Sequence, residues 1–139
     1  MTKRSDRFDV VIVGAGPAGS SLACRLIPHG ASVAVLDACA FPRSKPCGDS
    51  ISPGATPLLK ELGVWNALRS GAHGGTVLHG WRIRSHGGAW TDARFSRDPA
   101  ETPPEGLAID RKHLDHVLLD RARLAGAAIF ERTRAFAPY

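Results

Sequence analysis

Three glycines, an aspartate and a cationic stretch that carries a cysteine are the residues of this chain whose types and spacing could do chemistry. The glycines stand in the loop Gly14, Ala15, Gly16, Pro17, Ala18, Gly19, with the spacing G-x-G-x-x-G. Such a loop suits a phosphate. Gly14 permits a tight turn, Gly16 lets backbone approach a pyrophosphate where a Cβ would clash, and Gly19 lets a helix lie close to its strand. Free N–H groups of the first helical turn and the helix dipole favour the negative charge. Asp37 follows Gly19 by 18 residues. A carboxylate there accepts hydrogen bonds from both ribose hydroxyls of an adenosine. It also repels a 2′-phosphate, which disfavours NADP and leaves FAD and NAD open. The plain alternative is a Gly-rich turn with no ligand.

The elements that must position these groups are legible around them. Val10 to Val13 is a β-branched apolar run, as in a buried strand. Ala18, Leu22, Ala23, Leu26 and Ile27 recur on one helical face, and Pro28 and Gly30 stop that helix, with Pro28 expected to distort its last turn. A second apolar strand, Val33 to Leu36, ends on Asp37. The order strand, glycines, helix, strand, acid is a complete βαβ unit and predicts an α/β, Rossmann-like dinucleotide-binding fold.

Bulk properties narrow the classes. At 139 residues the chain is one domain at most, and 43% of it is apolar, enough for a core. No run reaches the length of a membrane-spanning helix, and MTKRSDRFD has no apolar signal region. Three cysteines show neither a pairing pattern nor metal-ligand spacing, and six histidines form no ligand set, so no metal is expected and a reducing cytoplasm fits. The formal charge is +5, with local density at Arg82, Arg84, Arg94 and Arg97 and from Arg111 to Arg134, but aromatics make up only 6%. That argues against nucleic acid. It fits a solvated basic surface, or attraction to an anionic cofactor or to lipid headgroups at a membrane periphery.

Residues 38–57 hold four prolines and two glycines with no apolar period, and read as a long loop that starts at the carboxyl edge of the sheet, where open α/β sheets bind ligands. It carries Arg43, Lys45, Cys47 and Asp49. The two cations could lower the Cys47 thiol and make it reactive. Cys47 could equally serve as a small residue, and Arg43 and Lys45 as solvated charges. Cys24 reads as a small buried hydrophobe. Two short helices follow, one with Leu58, Leu59 and Leu62, the other with Trp65 and Leu68, broken at Gly63. Thr76–Ser85 and Ala89–Phe95 read as a β-hairpin around His86, Gly87 and Gly88. After a polar, proline-rich loop, LAIDR leads into a helix with Asp110 as N-cap, a buried face of Leu114, Val117, Leu118, Ala122 and Ala125, and a stop at Gly126. Ala127 to Phe130 reads as a strand. A sheet of two or three such strands has an exposed edge, so the chain is expected to be the N-terminal portion, 1–139, of an incomplete dinucleotide-binding domain, rather than a complete small domain.

At FPRSKPCGDSISPGA and again at AIDRKHLDHVLLDRARLAG the chain resembles the geranylgeranyl reductase family of FAD-dependent oxidoreductases, within the glutathione-reductase-fold superfamily. The resemblance implies FAD as cofactor, with NAD(P)H a candidate electron donor. It implies that residues Gly14 to Gly19 hold the pyrophosphate and that Asp37 with Ala38 holds the adenosine ribose. Arg43 would lie near the pyrophosphate or adenosine side. Cys47, Gly48 and Asp49 would lie near the isoalloxazine and substrate cavity, with Cys47 a candidate catalytic group, and Arg111 would reach back to the flavin nucleotide. Arg111 could instead pair with Asp110 or Asp115 on its helix. The implied activity is reduction of an isoprenoid double bond of a lipid or quinone precursor. A flavin monooxygenase or halogenase is the alternative within flavoenzymes, and a truncated, inactive dinucleotide-binding module the alternative outside them. The family's later FAD segment, with its Gly-Asp pair, and its substrate domain have no counterpart in these residues.

Overall fold

A computed structural model describes residues 7–70, 74–96 and 104–136. Arg97, part of the basic density read from the sequence, lies outside the described residues. The chain divides into two compact units, Met1–Lys45 with Lys112–Tyr139, and Pro46–Arg111.

The first unit contains the βαβ pattern read from the sequence. Strand β1 (Val10–Val13) is followed by helix α1 (Pro17–Leu26), one 3-10 turn (Ile27–His29) and strand β2 (Val33–Leu36). β1 and β2 pair in parallel, Val10 opposite Val33 and Val13 opposite Leu36. The 3-10 turn contains Pro28, as a helix end with a missing N–H donor requires, and Gly30 closes it in the left-handed region at φ 87°. A third parallel strand, Ala128–Phe130, pairs with β2, giving a sheet with β2 in the centre. Val33, Ala34 and Val35 of β2 are all buried, as a strand covered on both faces must be. The buried face of α1 differs from expectation. Ser20, Ser21, Ala23 and Cys24 face inward, and Leu22 is exposed. Close seating on the loop, described below, turns the small residues inward and the larger leucine out. Val11 and Val13 of β1 are 56% and 66% exposed, so one face of this strand is uncovered among the described residues.

The second unit is inserted in the sequence between β2 and the long helix. It holds the short strand β3 (Ser50–Ile51), a 3-10 turn (Pro53–Ala55), helices α2 (Thr56–Glu61) and α3 (Trp65–Arg69), and strands β4 (Thr76–Leu78), β5 (Gly80–Arg84), β6 (Trp90–Arg94) and β7 (Gly106–Ala108). The reading of 38–57 as uniform loop is corrected at its second half, because Ser50 and Ile51 find a ladder partner in β7, which the sequence did not signal. The single strand expected over Thr76–Ser85 is broken at His79. β4 pairs antiparallel with β7, whereas β5 pairs with β6 in the expected hairpin. The core of this unit is Leu59, Leu62, Val64, Trp65, Leu68, Leu107 and Ile109. Thr56 ties the start of α2 to the strand region by donating from Oγ1 to the Glu105 carbonyl at 2.6 Å.

Helix α4 (Arg111–Ala125) then leads into β8 (Ala128–Phe130). Gly126, at φ 111°, ends it as expected. Its buried residues are Leu114, Asp115, Leu118, Leu119 and Ala122. Asp115 and Leu119 replace the expected Val117 and Ala125, so the inward stripe is rotated and contains an acid.

Candidate functional site

In the first unit the Gly-rich loop is held from three sides. The Gly14 N–H donates to the Leu36 carbonyl at 2.7 Å, Ser20 Oγ donates to the Ala15 carbonyl at 3.1 Å, and the Ala15 N–H donates to Asp37 Oδ2 at 2.8 Å. Gly14 has φ 104°, a conformation that a side chain disfavours. Gly19 is a glycine for another reason. A Cβ there would stand 1.9 Å from the Gly14 carbonyl oxygen and 3.1 Å from Ile12 Cγ2, so α1 rests directly on the loop and on β1. Gly16 is the N-cap of α1, with no side chain to cap the helix, and Pro17 opens the first turn without an N–H. The loop therefore presents backbone at the head of a helix.

Asp37 is buried at the carboxyl end of β2. Its Oδ1 accepts from the Cys39 N–H at 2.9 Å, and its Oδ2 takes the Ala15 bond. Arg43 returns to the same point. Its guanidinium lies 3.6 Å from Asp37 Oδ2 and 3.1 Å from Asp115 Oδ2, and stacks 4.8 Å from the centre of the Phe41 ring. The Arg43 side chain is 13% exposed and that of Asp115 is 0% exposed. This corrects one reading, since Arg43 is not a solvated loop charge. Asp115 is the residue that sequence reasoning missed as a member of this cluster. Its signal was present, since it sits among Leu114, Leu118 and Leu119 on an apolar helical face.

In the second unit the structure brings together Cys47, Asp49 and Arg111. Asp49 Oδ1 accepts from the Arg111 N–H at 3.1 Å at the start of α4, and the Asp49 carbonyl accepts from the Ile109 N–H at 2.8 Å. Asp49 adopts φ 49°, an uncommon conformation that Asp tolerates better than most residues. The Arg111 guanidinium donates to the Cys47 sulfur and, with backbone hydrogen bonding from Asp49, holds the exposed thiol below its ordinary value. The expected activation of Cys47 thus has a different source, because Arg111 acts on it while Arg43 is bound to the two acids. Space is open around Gly48, where a Cβ would meet nothing within 4 Å. Lys45 is exposed. Cys24 is buried, which pushes its thiol up. Among the described residues no group of three or more His, Cys, Asp or Glu side chains could hold a metal ion, and no helix is long and apolar enough to cross a membrane.

A Gly-rich loop at a helix head and a carboxylate at the end of the next strand fit the adenosine and pyrophosphate of an adenine dinucleotide. Residues 7–137 match the FAD binding domain family. The chain belongs to that family. Its cofactor is FAD. Among its relatives, the menaquinone reductase of Mycobacterium tuberculosis (strain ATCC 25618 / H37Rv) is 36% identical over 137 residues, covering 95% of this chain and 31% of the relative. Digeranylgeranylglycerophospholipid reductase 1 of Methanothermobacter thermautotrophicus is 32% identical over 133 residues, covering 91% of this chain and 30% of the relative. Among solved structures, the myxobacterial FAD-dependent halogenase CndH superposes with a TM-score of 0.78 at 25% identity, covering 90% of this chain and 28% of that one. The chain spans about a third of the length of these curated relatives. FAD-dependent reductases and halogenases thus share the fold of this FAD-binding domain.

Proposed function

We propose that this chain is the N-terminal FAD-binding portion, residues 1–139, of an FAD-dependent oxidoreductase of the geranylgeranyl reductase type, which reduces an isoprenoid double bond of a lipid or quinone precursor. The observation that carries the cofactor half of this reading is the Asp37 carboxylate, fixed on the Ala15 N–H at the end of β2. FAD supplies the redox chemistry when bound. The chain's own residues do the holding. The loop from Gly14 to Gly19 presents the backbone at the head of α1 to the pyrophosphate, and Asp37 with Ala38 receives the adenosine ribose. Arg43 steadies Asp37 from the protein side. Cys47, Gly48, Asp49 and Arg111 offer a polar, partly cationic surface for the isoalloxazine and the substrate. Similarity to relatives named for a menaquinone and for a digeranylgeranyl phospholipid supports the substrate class, and an NAD(P)H donor and a peripheral membrane contact belong to the same reading.

A second reading, a flavin-dependent halogenase or monooxygenase, is favoured by the structural likeness to CndH. An absorbance spectrum of the purified complete protein tests the cofactor, and anaerobic reduction by NADH or NADPH in the presence of a menaquinone or geranylgeranyl lipid tests the reaction. Gain of two hydrogens by the lipid, read by mass spectrometry, supports the reductase. Flavin oxidation that needs oxygen and leaves the lipid unreduced refutes it and supports the second reading.

A further inference from the structure

Arg43 sits where a dinucleotide-binding protein that accepts a 2′-phosphate would place its arginine, beside the acid at the end of the second strand. Here that arginine is already engaged. Its guanidinium reaches two carboxylates, Asp115 at 3.1 Å and Asp37 at 3.6 Å, and its face lies on the Phe41 ring at 4.8 Å. Asp115 is fully buried on α4, and the Asp37 and Arg43 side chains are 10% and 13% exposed. One guanidinium thus faces two carboxylates. Asp37 Oδ2, which faces Arg43, is the same oxygen that accepts from the Ala15 N–H at 2.8 Å. The charge on α4 is thereby linked through the Arg43 and Asp37 side chains to the Gly-rich loop.

We propose that Asp115 is a specificity-determining positioning residue for the adenosine end of the dinucleotide site. By clasping Arg43 it keeps that cation turned into the protein and braced against Asp37. The site then meets the ribose with an acceptor carboxylate, suited to hydroxyl donors, and offers no free guanidinium to a phosphate. Without the Asp115 charge, Arg43 has one anionic partner instead of two, and the fork that matches phosphate oxygens is released toward the ribose. This inference rests on the dinucleotide reading of the site and adds to it a residue that would touch no part of the ligand.

The test is competition against bound FAD, followed by flavin fluorescence, in the complete protein, with ADP and 2′-phospho-ADP as probes. Wild type is expected to prefer ADP by about tenfold or more, the worth of roughly one unfavourable charge contact. Asp115→Asn is expected to narrow that preference about tenfold, and the pair Asp115→Asn with Arg43→Gln to leave it as in wild type, since no guanidinium is then present to be released. A general loss of stability would lower the affinity for both probes and leave their ratio unmoved, so an unchanged ratio in Asp115→Asn overturns the proposal. If Asp115→Asn does not fold, Arg43→Lys decides. It keeps a cation for Asp115 but cannot span both carboxylates, and FAD affinity is expected to fall about fivefold; unchanged affinity overturns the proposal. A wild-type protein that binds FAD while its variants behave alike fails this inference only. One that binds neither FAD nor ADP fails the dinucleotide reading as well.

Discussion

Replacing Gly19 by alanine puts a single methyl group where α1 meets the Gly-rich loop. That methyl would lie 1.9 Å from the Gly14 carbonyl oxygen, with the Gly14 carbonyl carbon and Ile12 Cγ2 both at 3.1 Å. Ordinary contact needs roughly 1.5 Å more. Neither side can yield cheaply. The loop is tied by the Gly14 N–H to the Leu36 carbonyl at 2.7 Å and by the Ala15 N–H to Asp37 at 2.8 Å, and the clashing atoms are backbone rather than a flexible side-chain end. Overpacking of this kind destabilises by about 3 kcal/mol at the upper end of its usual range. The better helix propensity of alanine returns about 1 kcal/mol. The expected net loss is about 2 kcal/mol, a fall in Tm of roughly 8 °C for a chain of this length. Because the displaced atoms belong to the loop, FAD affinity is expected to fall with it. The control is Gly54→Ala, whose Cβ would meet only Ser52 Oγ at 3.8 Å, and it is expected to leave both readouts unchanged. Thermal denaturation followed by circular dichroism and a flavin titration supply the two numbers. A Gly19→Ala protein with a Tm within about 1 °C of wild type and undiminished FAD affinity would refute the close seating of α1 on the loop.

Three further outcomes are expected. Leu119→Ala empties a fully buried position on α4 and is expected to destabilise the protein by about 3 kcal/mol, read by chemical denaturation; a loss below about 1 kcal/mol would mean that α4 does not pack as described. Cys47 is expected to be alkylated by iodoacetamide at a pH below the ordinary thiol range, because the Arg111 guanidinium favours its thiolate. Arg111→Gln should move the reaction midpoint of Cys47 up toward the ordinary thiol range, and an unmoved midpoint in a mass-spectrometric pH series would show that Arg111 is not the cause. The Asp9 carboxyl is held below its ordinary value, chiefly by the hydrogen bond from the Ser32 hydroxyl at 2.6 Å. The stability this gives is present above the unfolded value, about pH 4, and is lost as pH falls through the lower folded value. Ser32→Ala should therefore raise the Asp9 titration midpoint observed by carboxyl NMR, and no rise would refute the assignment.

Local pattern carried the nucleotide half of the site. β1 and β2 begin and end where the apolar runs do, because β-branched residues between turn signals have few alternatives, and Pro28 and Gly30 ended α1 through backbone constraints that act within one turn. The structure then corrected what depends on distant partners. Ser50 and Ile51 become a strand only because Leu107 and Ala108 arrive beside them, and His79 divides one expected strand between two sheets. The inward face of α4 had to be rotated to include Asp115, an acid that residue type alone assigns to solvent although its helical position is an inward one.

The sequence by itself determined the βαβ unit, its glycine loop and the acid at the end of the second strand, whereas FAD entered through the family resemblance of the FPRSKPCG stretch. These are properties of contiguous residues and fixed spacings. Only the tertiary structure decided which charges meet. Arg43 and Lys45 lie two positions apart and read alike in sequence. Folding buries Arg43 between Asp37 and Asp115 and leaves Lys45 in water, while Arg111, far along the chain, takes the place beside Cys47. A buried charge requires a partner, and the partner is chosen by the packing of α4 and the return of the loop onto β2, which no local spacing encodes.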